Sequence, residues 1–159
     1  MERNCNGCTL CCEGWLAIDT NGIKASLNKP CFNLSCNVGC NIYAERPTDP
    51  CVTFKCLWLT DAEHMSLEMK PSKTKVIVQE RIVQGWHLPV LAAVATNKET
   101  LDLQWENIKS IAKAKGIFAV ALAYPNSKND QHKKIMNIFG DAKFAKIMKT
   151  LFDNQVVIF

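Results

Sequence analysis

The sequence predicts an α+β protein: a loop-rich, cysteine-dense N-terminal part packed with a small α/β C-terminal layer. Three observations lead there. All nine cysteines fall between Cys5 and Cys56. Residues 1–60 are rich in Cys, Asn and Pro and carry few long periodic runs, as in a unit held together by something other than a large core. From Lys75 onward, apolar runs alternate with helical periodicities, the pattern of strands and helices sharing a layer. The division falls between residues 1–70, a cysteine-rich metal-binding module, and 71–159, a small α/β part. The two form separate units or one compact unit.

The elements follow in chain order. Residues 61–75, DAEHMSLEMKPSKTK, read as a connector, punctuated by Pro71 and Ser72. KVIVQERIV, Lys75 to Val83, reads as a strand, and LPVLAAVAT, Leu88 to Thr96, as a buried one. Thr96 and Glu99 have capping-box spacing, because each side chain reaches a free amide of the first turn. A helix then runs to about Lys115, with Leu101, Trp105, Ile108 and Ala112 on one face and Gly116 as its stop. GIFAVALAY is the next strand. Residues 128–139 read as helix, broken near Gly140. Asp141 to Phe152 is an amphipathic helix whose apolar face carries Phe144, Ile147, Met148, Leu151 and Phe152. QVVIF closes the chain as a short strand.

Composition excludes several classes. Hydrophobic content of 48% and charged content of 21% are ordinary for a globular protein. No apolar run is long enough to span a bilayer. MERNCNGCTL lacks the basic start, apolar stretch and small-residue cleavage site of a signal peptide, so the expected location is the cytoplasm. Thiols there stay reduced, and nine is an odd number, so metal or catalysis is favoured over a disulfide framework. The net charge of +4 conceals an asymmetry: residues 1–70 sum to −2 and residues 71–159 to +6. The basic part suits a solvated surface or an acidic protein partner that the sequence does not identify. Lys128, Lys133 and Lys134 are interleaved with Asp130, and no known nucleic-acid-binding motif accompanies them, which disfavours nucleic acid.

The chemistry lies in CNGCTLCC, Cys5 to Cys12. Thiolate is a strong, soft ligand for zinc and for iron–sulfur clusters. Cys5-x2-Cys8 is a ligand turn in which Gly7 permits an unusual backbone angle, and Cys8-x2-Cys11 repeats the spacing. The run begins like a bacterial ferredoxin motif but lacks its fourth cysteine and proline. Cys11 and Cys12 are adjacent, and neighbouring side chains diverge. They therefore serve different metals or different irons of one cluster, or one of them is only packed. Further thiols lie downstream at Cys31, Cys36, Cys40, Cys51 and Cys56. Cys51 and Cys56 point apart in any regular backbone, so that segment bends or the two bind different centres. No histidine precedes residue 61, so a site here is all sulfur, which favours zinc or iron–sulfur.

These residues, with KPCFNL, CNIYAERPTDPCVTFKC, WL and MKPSKTKV, resemble the CxxCxxCC (YkgJ-type) family of zinc- or iron-chelating proteins, which includes flagellin lysine N-methylases. The resemblance covers about half the chain, Cys5 to roughly Val76. Carried over by position, it implies eight metal-binding cysteines: Cys5, Cys8, Cys11, Cys12, Cys31, Cys40, Cys51 and Cys56. Cys36 is extra, and Thr9 stands where many members have glycine. The resemblance implies chelation of zinc or iron without a settled reaction. The expected function is therefore a thiolate metal-binding protein holding zinc. The alternative is an iron–sulfur redox or methyl-transfer enzyme.

Weaker candidates complete the reading. Arg46 offsets thiolate charge, holds an acidic ligand or makes structural hydrogen bonds. Pro47 and Pro50 shape the turn that delivers Cys51. His64, His87 and His132 form no zinc motif, and Trp58, Trp86 and Trp105 are expected in the core. No phosphate loop, dinucleotide fingerprint or Ser-His-Asp cue is present.

Overall fold

A computed structural model describes residues 3–153 except 6, 17–18, 21, 27–28, 37 and 125–132. The N-terminal part contains two small hairpins. β1 (Asp19–Thr20) pairs with β2 (Ile23–Lys24), and β3 (Leu34–Ser35) with β4 (Gly39–Cys40). Short helical turns follow over Tyr43–Glu45 and Thr48–Val52, then α1 (Leu57–Thr60) and α2 (Pro71–Thr74). The second part is a four-stranded sheet: β5 (Val76–Ile82), β6 (Pro89–Ala95), β7 (Phe118–Ala123) and β8 (Lys134–Phe139). The strands lie in sequence order, antiparallel between β5 and β6, parallel between β6 and β7, and antiparallel between β7 and β8. The fold is α+β, as predicted. Among the described residues, no helix is long and apolar enough to cross a membrane.

The parallel pair needs a crossover, which α3 (Lys98–Lys115) supplies. The helix starts one residue later than the sequence reading placed it. Asn97, not Thr96, is the cap, its side-chain oxygen accepting the Thr100 amide at 2.8 Å. Gly116 ends the helix at φ 66°, as expected. Strand alternation turns Ala93, Ala95, Ala119, Ala121 and Ala123 toward one face. α3 lies on that face, where short side chains permit close approach. Asp102 accepts a hydrogen bond from Asn137 of β8, and Lys115 pairs with Glu80 of β5 at 2.8 Å.

The opposite face carries Ile77, Val94, Val120 and Leu122. α4 (Ala142–Asp153) closes one end of it. Phe144 packs between Trp86 and Phe118, with ring centroids 5.2 and 5.1 Å away. The N-terminal part packs along the β5 edge through α1 and α2. One continuous apolar cluster joins Leu10, Trp15, Leu57 and Trp58 to the sheet and to Met148.

Two expectations require correction. The helix expected over residues 128–139 is a strand where it is described: Lys134–Phe139 pairs with β7. The unpaired edge of β7 demands backbone partners, and this outweighs the local helical character of KKIMNIF. A register irregularity between Ala121 and Leu122 also blurs the alternation that marks a strand. Residues 128–132 and the expected QVVIF strand lie outside the described residues. The connector at 61–75 is also more than a linker, because Met65, Met69 and Pro71 are buried within it.

Candidate metal centre

Each cysteine-bearing segment is held by a specific device. Arg3 donates to the backbone oxygens of Trp58 at 2.8 Å and Met65 at 2.6 Å. Its guanidinium also lies 5.1 Å from the Trp58 ring. This tether brings the start of the chain, and so Cys5, to the segment of Cys56. The Cys8 amide donates to the Cys5 oxygen at 2.8 Å, closing the first ligand turn. The Cys31 amide donates to the Cys12 oxygen at 2.7 Å, joining the two segments directly. Cys40 is carried by the β3–β4 hairpin, and Thr20 of β1 makes a side-chain hydrogen bond to Cys51. Gly14 lets the turn after Cys12 meet the next segment. Its φ is 88°, and a Cβ there would stand 2.1 Å from the carbonyl carbon of Ser26.

All nine cysteines are free thiols and line one cavity of about 810 Å³, together with Arg46, Tyr43, Phe54 and Ile77. The eight expected ligands are thus gathered, and Cys36, the extra one, is exposed at the same cavity. The electrostatic neighbourhoods divide them. Burial above all, then the charges of Cys56, Cys8, Cys12 and Cys5, push the Cys11 thiol far above the usual range. Cys12 is pushed up to about 12, by burial first and then by Cys31, Cys40, Cys51 and Cys8. Cys56 is raised by burial, with the Leu59 amide opposing, and then by Cys5 and Cys8. Cys51 is raised by burial, eased by Thr20, and raised again by Cys31 and Cys40. Cys5 is raised by burial and Cys8, with Arg46 and Lys70 opposing. The adjacent Cys11 and Cys12 therefore face different companies. The strongest thiol influences on the first are Cys56 and Cys8 and on the second Cys31, Cys40 and Cys51, while Cys8 also acts on Cys12 and Cys12 on Cys11.

Arg46 serves both groups, its charge easing Cys5 and Cys51 alike. It also donates to the Tyr43 oxygen at 2.6 Å and lies 3.9 Å from the Tyr43 ring centroid. The structural and charge-offsetting readings are thus compatible. Sequence reasoning passed over Arg3, Thr20 and Lys70 as neighbours of these thiols. Arg3 and Thr20 stand in no motif, so they left no signal. Lys70 lies in MKPSKTKV, where the sequence alone assigns it no role.

An all-thiol donor set suits zinc or iron–sulfur chemistry. Among the described residues, however, no three His, Cys, Asp or Glu side chains stand in the arrangement of a preformed metal site. The sulfurs are collected but not closed around one point. The remaining candidates stand elsewhere. His64 joins Asp61 at 2.9 Å, His87 is exposed beside Trp86, and His132 is outside the described residues. Trp58 and Trp86 are buried, and Trp105 packs against the core. No family model, curated protein or solved structure matches the chain.

Proposed function

We propose that this chain is a metal-binding protein in which cysteine thiolates hold zinc in two sets of four. Cys5, Cys8, Cys11 and Cys56 form one set, and Cys12, Cys31, Cys40 and Cys51 the other. The observation that carries this reading is the convergence of the free thiols on one cavity, where the adjacent Cys11 and Cys12 differ in their strongest thiol neighbours, Cys56 and Cys31. Raised thiol pKa values support it, because a metal supplies the positive charge that burial otherwise denies a thiolate. Zinc, when bound, holds thiolates deprotonated and supplies cross-links to a segment of short strands and turns. The chain's own part is to gather the sulfurs, through Arg3, Thr20 and the Cys12–Cys31 backbone bond, and to offset their charge with Arg46. A reducing compartment, the cytoplasm, keeps nine thiols available for this purpose.

A second reading, an iron–sulfur cluster supporting redox or methyl-transfer chemistry, draws on the cavity of about 810 Å³ and the open arrangement of the sulfurs. A polynuclear cluster is held by cysteines spaced more widely than the ligands of a single ion. Elemental analysis with an absorption spectrum, on protein purified without oxygen, separates the two. About two zinc per chain without visible colour is the expected result. Iron with matching sulfide and a brown colour selects the second reading. Protein that refolds fully without any metal overturns both.

A further inference from the structure

One thiol stands outside the two proposed sets. Cys36 is exposed, whereas the other eight cysteines are buried or half-buried, yet it lines the same cavity. It is therefore the most exposed of nine thiols around one space, not an isolated surface cysteine. The fold fixes it there. Cys36 follows β3 at the tip of the β3–β4 hairpin, where the Ser35 oxygen accepts the Val38 amide at 3.3 Å. Val38 is 79% exposed, so the tip faces solvent. Below the tip, Leu34 pairs with Cys40, and the Asn33 oxygen accepts the Asn41 amide at 2.9 Å. The Leu34 amide donates to the Cys31 oxygen at 2.9 Å. One short hairpin thus carries Cys31 at its entry, Cys36 at its tip and Cys40 on its return strand. The return strand also borders the first ligand turn, because a Cβ on Gly39 would lie 3.9 Å from Cγ2 of Thr9, between Cys8 and Cys11. The hairpin touches segments of both proposed sets while its tip meets water.

An ion enclosed by four buried thiolates leaves slowly unless a new ligand attaches before an old one departs. Zinc has no geometric preference from its d electrons, so it accepts a fifth ligand in passing. Cys36 is placed to supply that ligand. Its Sγ gives a proton to solvent and bonds the ion, while one thiolate of the set lets go and takes up a proton. Ligand number, charge and protons balance, and no oxidant or reductant is needed. The eight other cysteines already complete two tetrahedra, which leaves Cys36 without a resident ion.

We propose that Cys36 is an exchange ligand through which zinc enters and leaves the cavity, a role that rests on the two-set reading above. The test uses the intact, zinc-loaded chain under reducing conditions without oxygen. Limiting iodoacetamide is expected to alkylate Cys36 first, and first alkylation elsewhere overturns the proposal. Stopped-flow loading with zinc, and release of zinc to a coloured chelator, then compare the parent with Cys36→Ser. Both rates are expected to fall about tenfold, the effect of a part-formed bond lost from the transition state alone. Zinc content and affinity are expected to stay the same, because a group that bonds the ion only in passing changes both rates equally. Cys36→His keeps a zinc ligand at the tip and is expected to recover most of the rate. Equal rates in the parent and Cys36→Ser overturn this proposal and leave the two-set reading intact. Equal slowing in both variants does the same, since it assigns the thiol a structural part. A parent chain that takes up no metal overturns the two-set reading and this proposal with it.

Discussion

Replacing Cys11 or Cys12 by serine tests the division of the thiols where it is sharpest, at two neighbouring residues. The two face different groups, so each substitution should cost one metal ion, and a different one. The size of the loss follows from the ligand count. Structural zinc binds with roughly 10–16 kcal/mol at pH 7, so each of four thiolates accounts for about 2.5–4 kcal/mol, on the order of 10²-fold to 10³-fold in affinity. Competition with a coloured zinc chelator under reducing conditions reads this directly. Each single variant should show one ion released early and the other still bound, weakened by no more than the roughly twentyfold that lost loop closure allows. Pairing substitutions sharpens the test. Cys11→Ser with Cys56→Ser should weaken the same ion twice, whereas Cys11→Ser with Cys51→Ser should weaken both. Cys36→Ser should leave both ions in place. If either single substitution releases both ions together, or Cys36→Ser releases one, the division into two sets is wrong.

Two further outcomes probe the framework. Gly14→Ala should destabilise the chain by about 3 kcal/mol or more, since φ is 88° and the new Cβ would stand 2.1 Å from the Ser26 backbone; an unchanged denaturation midpoint would refute the close approach. Asp61→Asn should flatten the acid dependence of stability. Burial works to raise the Asp61 pKa, but hydrogen bonds from Lys115 at 2.6 Å and from His64 outweigh it, holding the carboxyl well below the usual range. A lowered folded-state pKa contributes stability above the unfolded value, and that stability is lost as pH falls through the folded one. The parent protein should therefore lose urea resistance below about pH 4, and the variant should lose less. Equal losses would remove Asp61 from the account.

The sheet was legible where one physical signal dominated. The LPVLAAVAT run marked β6 because a strand covered on both faces needs no polar alternation. α3 was legible through its period and through Gly116. β8 was not. Five of its six residues are only partly buried, so neither face gave a clear pattern, and its place is set by hydrogen bonds to β7 that the local sequence does not contain. The start of α3 shifted by one residue because Thr96 and Asn97 are both competent caps and only the backbone path decides between them. At the candidate site, the family resemblance implied the eight expected ligands but not how they would divide. Sequence reasoning could say that Cys11 and Cys12 diverge. Which distant thiols each one meets depends on the Arg3 tether and the Cys12–Cys31 bond, contacts made across long stretches of chain.

The order of the two sets along the chain has a consequence for how they fill. Cys12, Cys31, Cys40 and Cys51 all lie between Cys11 and Cys56, so one set is nested inside the other like an inner pair of parentheses. Before any closure, joining Cys56 to Cys11 must restrain a loop on the order of 45 residues. Once the inner set has closed, the remaining path runs only from Cys11 to Cys12 and from Cys51 to Cys56. Roughly three halvings of loop length save about 2 kcal/mol of closure entropy, on the order of twentyfold. If the chain binds metal in the two proposed sets, the inner set would thus prepare the outer one, and the two would fill in sequence from the inside outward.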